Sequence, residues 1–489
     1  MKRKLRIFSN IAIICLSVCM FAFGVYAAST VSVTTSGTVS FQATGVYAEI
    51  TRTITGANNA PSATSVTIDS SASDNDEYPM NADLEFASGD SLVEIKFEIE
   101  NKATEDGRYI YATVTAGTLV NNNVKQVAEY LNTEIMISPN SSRTISIYLF
   151  VQDVNMSASA TYDYNIALKS SSAGTVLTEN DVELEDNYDG TYAITRINST
   201  ASHITIPEKI GEYTISSIGS SMSYSSDANI FNDNIGYNGT GNATLKHLTM
   251  ANSITGIYSY AFYGCKELEY IGFSQNITTL TGECFGGNEK LYNKVKSIVL
   301  PVVNEQEYFI VSNCLETLIM PEVGRMYDGI VYNSGYSCSI KTLIYKGSLS
   351  SWDTKEINEG TNYCFMAPND SNLFIEGQRM VDITLSAERI NTGKYTYCQS
   401  IRSVTFTDSV QTIGAYAFHV CSNLTLVTIP TSVTKIEDCA FYTQSSLIIN
   451  YLGTKTQFKA IDIASSGIDS MIVAHCTDGD ITYEEYYGY

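Results

Sequence analysis

Positive charge is the first thing this chain is short of. Against 52 Asp and Glu it carries 29 Lys and Arg, for a formal net charge of −23. Nucleic acids and anionic lipid surfaces are held through cationic contacts, so neither is a partner this composition favours. Histidine is scarce as well: His203, His247, His419 and His475 are the whole supply. None of the four stands in a Gly-x-Ser-x-Gly, His-Glu-x-x-His or Cys/His context, and no Gly-rich phosphate loop occurs. The sequence therefore names no catalytic, cofactor-binding or metal-binding residue. Cysteine is missing from residues 28–172, and no Cys-x-x-Cys pair exists anywhere, which leaves a zinc cluster without support. Carboxylate pairs are plentiful in so acidic a chain, but nothing marks one pair for glycoside hydrolysis.

Long apolar runs are confined to the start. Met1-Lys2-Arg3-Lys4-Leu5-Arg6 precedes a largely apolar stretch from Ile7 to Phe23 and then Val25-Tyr26-Ala27-Ala28-Ser29. A basic start, an apolar core and small residues at a cleavage point describe a secretory signal peptide over 1–27, with retention as a membrane anchor the alternative. Its removal takes away four basic residues and no acidic one, moving the formal charge from −23 to −27. The expected mature protein is secreted or at the cell surface, with no membrane insertion once the signal is gone. Its nine cysteines all lie beyond residue 260; nine is odd, so at least one thiol is unpaired within a monomer.

What is present divides in two. Residues 28–172 alternate polar with β-branched or aromatic residues, as in Val93-Glu94-Ile95-Lys96-Phe97-Glu98-Ile99 and Thr144-Ile145-Ser146-Ile147-Tyr148-Leu149-Phe150. Period two with turn clusters between the runs predicts seven or eight strands in a two-sheet β-sandwich. Val124 to Leu131 reads as a short helix, and Asp74-Asn75-Asp76-Glu77 as a solvated acidic loop. In pattern and length the region resembles the immunoglobulin-like modules of bacterial surface proteins. Residues 173–186, after a Ser-rich joint at 170–172, are expected to be a linker that lets the halves move independently.

From 187 to 489 a phrase repeats: apolar, two residues, apolar, one residue, apolar. It occurs as Leu245-x-x-Leu248-x-Met250 and Leu268-x-x-Ile271-x-Phe273, and again as Ile401-x-x-Val404-x-Phe406 and Leu424-x-x-Val427-x-Ile429, both pairs offset by 23 residues. Between the phrases lies Tyr260-Ala261-Phe262-x-x-Cys265, matched by Tyr416-Ala417-Phe418-x-x-Cys421. Such a period means stacked coils that bury their apolar faces only against neighbours. The triplets at 295–300, 315–320, 340–345 and 380–385 continue the array around an irregular insertion at about 346–379. There, Tyr345-x-Gly347-x4-Trp352 matches Tyr451-x-Gly453-x4-Phe458, a turn off the strand into a short helix, so the array reads as two sub-arrays joined end to end. The expected core comprises Leu248, Phe262, Cys265, Ile271, Phe285, Val404, Phe418, Cys421, Val427 and Phe441. At strand spacing of about 4.8 Å, Cys398 and Cys421 fall within disulfide reach, or serve as small buried apolar residues. Glu185-x-Asn187-x-Asp189-Gly190 starts like a calcium loop but places Arg196 where the bidentate Glu belongs, which makes it a turn.

These phrases resemble the BspA-type leucine-rich repeat, over roughly 187–489. The resemblance implies a mainly β fold, a solenoid of short parallel strands following the sandwich. It also implies a secreted or surface-exposed binding protein with an extracellular protein or cell-surface ligand as partner. Outward strand positions would carry recognition: Thr249, Tyr270, Thr317, Thr342, Thr405 and Thr428. The loop residues Ser253, Asn276, Ser409 and Ser432 would bond the backbone of an adjacent coil. Other readings are a structural component of a surface layer or filament, and an extracellular hydrolase.

Overall fold

The computed structural model describes residues 31–489 except 42–45, 57–65, 69–76, 87–91, 104–108, 120–122, 154–157, 170, 220–229, 232–241, 282–283, 286–293, 302–304, 307–313, 323–339, 355–370, 443–446, 469–472, 483–484 and 487–489. The expected signal peptide, most of the acidic loop at 74–77, and Cys338 and Cys364 lie outside the described residues.

Among the described residues the alternating region forms β1 (Val31–Phe41), β2 (Val46–Gly56), β3 (Val66–Ile68), β4 (Glu77–Phe86), β5 (Val93–Asn101), β6 (Ile110–Leu119), β7 (Val124–Ala128), β8 (Glu134–Ile137), β9 (Ser141–Val151) and β10 (Ala158–Lys169). They build two antiparallel sheets, ordered β1-β2-β5-β9-β7 and β3-β4-β10-β6-β8. The period of two does the sorting: on β5, Val93, Ile95, Phe97 and Ile99 are buried while Lys96 and Glu98 are exposed. Phe97 meets Tyr164 of the other sheet with ring centroids 5.0 Å apart, so both inner faces share one core. Each such buried side chain is worth about 1.5–3 kcal/mol.

Val124–Leu131 is not a helix. Val124–Ala128 is strand β7, paired antiparallel with β9. Val124 and Ala128 enter the core between the sheets while Val127 packs on the opposite side against residues of the second half. A strand covered on both faces places apolar residues at spacings of three and four, which imitates a helix face.

Over residues 192–475 the chain coils into a β-solenoid of about nine turns. The expected linker before it is paired onto its first strands. Thr175–Val176 pairs in parallel with the first repeat strand, and Val182–Asp186 pairs with Tyr192–Ile197, so 175–186 closes the solenoid's open end. Asp189 accepts bonds from Thr191 N at 2.9 Å and its hydroxyl at 2.6 Å, which makes the Asp189-Gly190 segment the turn of that hairpin.

Each triplet lies on a front strand: His203–Ile206, His247–Met250, Tyr270–Gly272, Ser297–Val299, Thr317–Met320, Thr342–Tyr345, Asn372–Ile375, Asp382–Leu385, Ser403–Phe406, Leu426–Ile429, Ile448–Tyr451 and Val473–Cys476. A second ladder of two-residue strands runs along another side, for instance Arg389–Ile390, Thr412–Ile413, Lys435–Ile436 and Asp462–Ile463. The ten residues expected in the core are all buried in one continuous cluster. The Tyr-Ala-Phe phenylalanines stack nearly flat: Phe262 on Phe285 at 5.1 Å, Phe418 on Phe441 at 5.5 Å, with Tyr395 on Phe418 at 5.2 Å. Such pairs add about 0.5–1.5 kcal/mol beyond burial.

The loop residues act across coils. Asn276 Nδ2 donates to Asn252 O at 2.8 Å, Ser409 Oγ to Ser386 O at 2.5 Å and Ser432 Oγ to Val410 O at 2.8 Å. Ser253 Oγ makes no such bond. Cys398 and Cys421 are free and buried, and Cys421 Sγ donates to Tyr395 O at 3.0 Å instead of bridging. The two Tyr-x-Gly segments both turn into short helices, α1 (Leu349–Thr354) and α2 (Lys455–Phe458). Trp352 and Phe458 fold back on Tyr345 and Tyr451, at 5.1 and 5.2 Å. Each sub-array closes with an antiparallel return, at Gln378–Arg379 and at Gly479–Ile481.

Candidate binding surface

On a front strand the triplet residues point into the coil, so the residues alternating with them point out. Parallel pairing in register lines those outward residues up in columns. At the central outward position the first front sheet holds Thr205, Thr249 and Gly272, the second Val299, Ile319, Ile344 and Phe374, and the third Thr384, Thr405, Thr428, Asn450 and His475. The chemistry there changes from small and polar to apolar and back to polar.

The change follows what lies on top. The N-terminal two-sheet domain is docked on the front strands from His203 to Ile375, which contradicts the expectation of halves that move independently. Ile319, Ile344 and Phe374 pack against Leu92, Tyr148 and Phe150 in a buried cluster of their own, with the Phe150 and Phe374 rings 4.9 Å apart. A parallel strand covered on both faces is apolar on both, and Thr317-Leu318-Ile319-Met320 and Asn372-Leu373-Phe374-Ile375 read that way. Polar groups tie the edges. Arg143 Nη2 donates to Phe273 O at 2.7 Å, and Arg379 donates to Gln152 O at 3.3 Å and to Val151 O. Lys346 forms an ion pair with Glu129, whose side chain is only 3% exposed. Glu129 also accepts from Ser146 N at 2.9 Å and Tyr148 Oη at 3.1 Å. Burial works against the Lys346 charge, yet Glu129 beside it holds the ammonium pKa above its ordinary value. Burial, followed by Glu129, raises the Tyr148 phenol well above its own.

Beyond residue 380 no contact from the N-terminal domain to the ladder is seen among the described residues. Thr384, Thr405 and His475 are exposed, and Thr428 and Asn450 are half-buried. The neighbouring outward column runs Asp382, Ser403, Leu426, Ile448 and Val473. Ile448 is 47% exposed, and Leu452, just past the end of that strand, is 56% exposed. This open ladder presents hydroxyls, an amide and aliphatic side chains at regular strand spacing, a set suited to a protein surface.

The six positions chosen from sequence divide between the two regions. Thr249 is buried and donates to Glu134 O at 3.0 Å; Thr342 is buried too. Tyr270 is half-buried and stacked on His247 at 4.6 Å, and Thr317 is half-buried. Only Thr405 and Thr428 lie on the open ladder. Sequence reasoning missed Thr384, Asn450, His475, Leu426 and Ile448. A signal was available in the central outward column alone: Ile319, Ile344 and Phe374 stand on covered coils and Thr384, Thr405 and Thr428 on open ones, with Thr205 and Thr249 near Glu134 the exceptions.

Of the histidines, His203 and His247 lie on the covered strands and His419 among Tyr397, Tyr416 and Tyr442. His475 Nδ1 lies 2.7 Å from Asp480 Oδ1 on the surface. Among the described residues no group of three or more His, Cys, Asp and Glu is placed to hold a metal ion. No helix among them is long and apolar enough to cross a membrane.

No curated protein matches the chain. Among solved structures it is similar to a leucine-rich cell surface protein from Faecalibacterium prausnitzii A2-165, at 17% identity over 60% of this chain and 99% of that one, with a TM-score of 0.23. It is also similar to a leucine-rich repeat protein from Bacteroides ovatus ATCC 8483, at 14% identity over 61% and 90% of the two chains, with a TM-score of 0.20. The family model for the BspA type leucine rich repeat region matches residues 233–359 and 370–465, in six copies. With the 23-residue triplets, the stacked Tyr-Ala-Phe rings and the front ladder in place, the repeat region of this chain belongs to the BspA-type leucine-rich repeat family.

Proposed function

We propose that this chain is a non-enzymatic binding protein of the cell surface or extracellular space, which recognises another protein through the open front ladder at 382–475. The observation that carries the reading is the contrast between successive front sheets of one solenoid. Where the N-terminal domain docks, Thr205, Thr249, Ile319, Ile344 and Phe374 are buried, whereas on the sheet that starts at Asp382 the matching Thr384, Thr405 and His475 are exposed and Thr428 and Asn450 half-buried. Family membership supports a repeat platform for protein binding, and an adhesin-like role is the form of it we favour. The acidic surface favours a partner without large negative charge of its own.

A photo-crosslinking side chain introduced at Thr405 of the full chain tests this, with Glu388, just before Arg389–Ile390 of the other ladder, as control, against extracellular matrix proteins and intact cells. Adducts are expected from position 405 and none from 388. Adducts confined to 388, or binding unchanged in a Thr405→Arg/Thr428→Arg variant, would overturn the reading.

A further inference from the structure

The two N-terminal sheets end in the edge strands β1 and β7, and β3 and β8. Three of these edges are short or covered. β3 has three residues, and β7 and β8, with five and four, lie against the solenoid through Val127, Met136 and the Glu134 carbonyl. β1 is eleven residues long. Among the described residues it pairs with β2 alone, in a register that runs without a shift from Val31↔Gly56 to Phe41↔Val46. A long regular edge offers a row of free N–H and C=O groups, which folded proteins blunt with charge, proline or a bulge. Val31–Phe41 contains no charged residue and no proline. Charge stands further in, at Glu49 and Arg52 of β2 and at Glu94, Lys96, Glu98 and Glu100 of β5. The strand that most needs protection lacks it.

The sequence of β1 also matches itself in reverse. Turned about Ser36, an antiparallel second β1 sets Val31 opposite Phe41, Ser32 opposite Ser40, Val33 opposite Val39 and Thr34 opposite Thr38. Apolar residues meet apolar ones and hydroxyls meet hydroxyls, which are favourable cross-strand pairs. Each residue meets one an even number of positions away. The alternate backbone groups turned away from β2 on one copy therefore meet the same set on the other. The paired strands bring no charge together, which matters for two copies of a chain with net charge −23. We propose that β1 is a self-association edge: two copies of this chain pair antiparallel through Val31–Phe41, centred on Ser36, and join their β1-β2-β5-β9-β7 sheets into one. The contact is two-fold and closed, so it makes a dimer and no filament. It is independent of whether the open ladder binds a partner.

Sedimentation velocity of the purified full chain across the micromolar range tests the pairing. A dimer is expected, and Thr34→Lys/Thr38→Lys, which sets like charges opposite each other twice, is expected to weaken it about tenfold. Thr34→Lys/Thr38→Glu sets opposite charges face to face and is expected to recover most of that loss, which mere damage to β1 would not allow. Position supplies the second readout. Under oxidised glutathione, Ser36→Cys is expected to give a disulfide-linked dimer above the wild-type background, because position 36 meets itself at the two-fold. Ser32→Cys, whose position meets Ser40 instead, is expected to give none. A wild-type monomer throughout, an undiminished dimer in Thr34→Lys/Thr38→Lys, no recovery in Thr34→Lys/Thr38→Glu, or equal linking from Ser32→Cys and Ser36→Cys overturns the proposal.

Discussion

The covered and open stretches of the front ladder are built from the same repeat, and they differ in what stands between the triplet residues. On the covered stretch the outward column reads Ile319, Ile344, Phe374; on the open stretch it reads Thr384, Thr405, Thr428. Inward residues serve the coil and are alike in both. Outward residues serve whatever lies above, so their chemistry reports the neighbour. A solenoid coil thus carries two separable messages, one about stacking and one about contact.

The widest separation between the stretches is expected from truncating the column itself. Phe374→Ala empties a fully buried site between Phe150 and Arg379 and should cost about 3–5 kcal/mol. Thr405→Ala on the open stretch should stay within about 0.5 kcal/mol. Chemical denaturation midpoints of the two variants measure the difference, and equal losses would break the comparison.

Charge gives a smaller separation. Lys346→Met leaves Glu129 buried without its counter-charge, although Ser146 N and Tyr148 Oη still donate to it, and should cost about 1–3 kcal/mol. Lys435→Met removes only an exposed contact 3.4 Å from Glu437 and should cost at most about 1 kcal/mol. The same unfolding assay ranks them. A zero-length carbodiimide link between the peptides holding Glu129 and Lys346 should also form within the monomer, detectable by mass spectrometry.

The smallest expected effect lies at the joint with β8. Thr249→Val keeps the shape but takes a donor from Glu134 O, for about 1 kcal/mol, whereas Thr428→Val should leave stability unchanged and lower partner binding. Partner binding lowered equally by both variants at neutral pH would contradict the division of the ladder.

Much of the solenoid was legible in the sequence because its stabilising contacts are local in register. Phe418 stacks on Phe441 one coil away, Ser409 bonds Ser386 O one coil back, and Trp352 folds onto Tyr345 within a single coil, so each repeats with the period. The docking of the halves was not legible, because it joins residues more than a hundred positions apart that share no period, such as Arg143 with Phe273 and Arg379 with Val151. The same docking explains the helix expected at Val124–Leu131: Val127 faces the solenoid, and a second buried face breaks the simple alternation of β7. It also explains why Thr249 looked like a ligand-facing residue. Its hydroxyl does face a partner, and the partner is the chain's own β8.

Hydroxyl-radical footprinting of the full chain at neutral pH tests the division of the ladder most directly, since Ile344 and Phe374 are to be compared with Leu426 and Ile448 in one sample. Oxidation of Leu426 and Ile448 with Ile344 and Phe374 protected is the predicted result. Oxidation of Ile344 and Phe374 at rates matching Ile448, which is 47% exposed, would contradict the docked arrangement and with it the assignment of the open face.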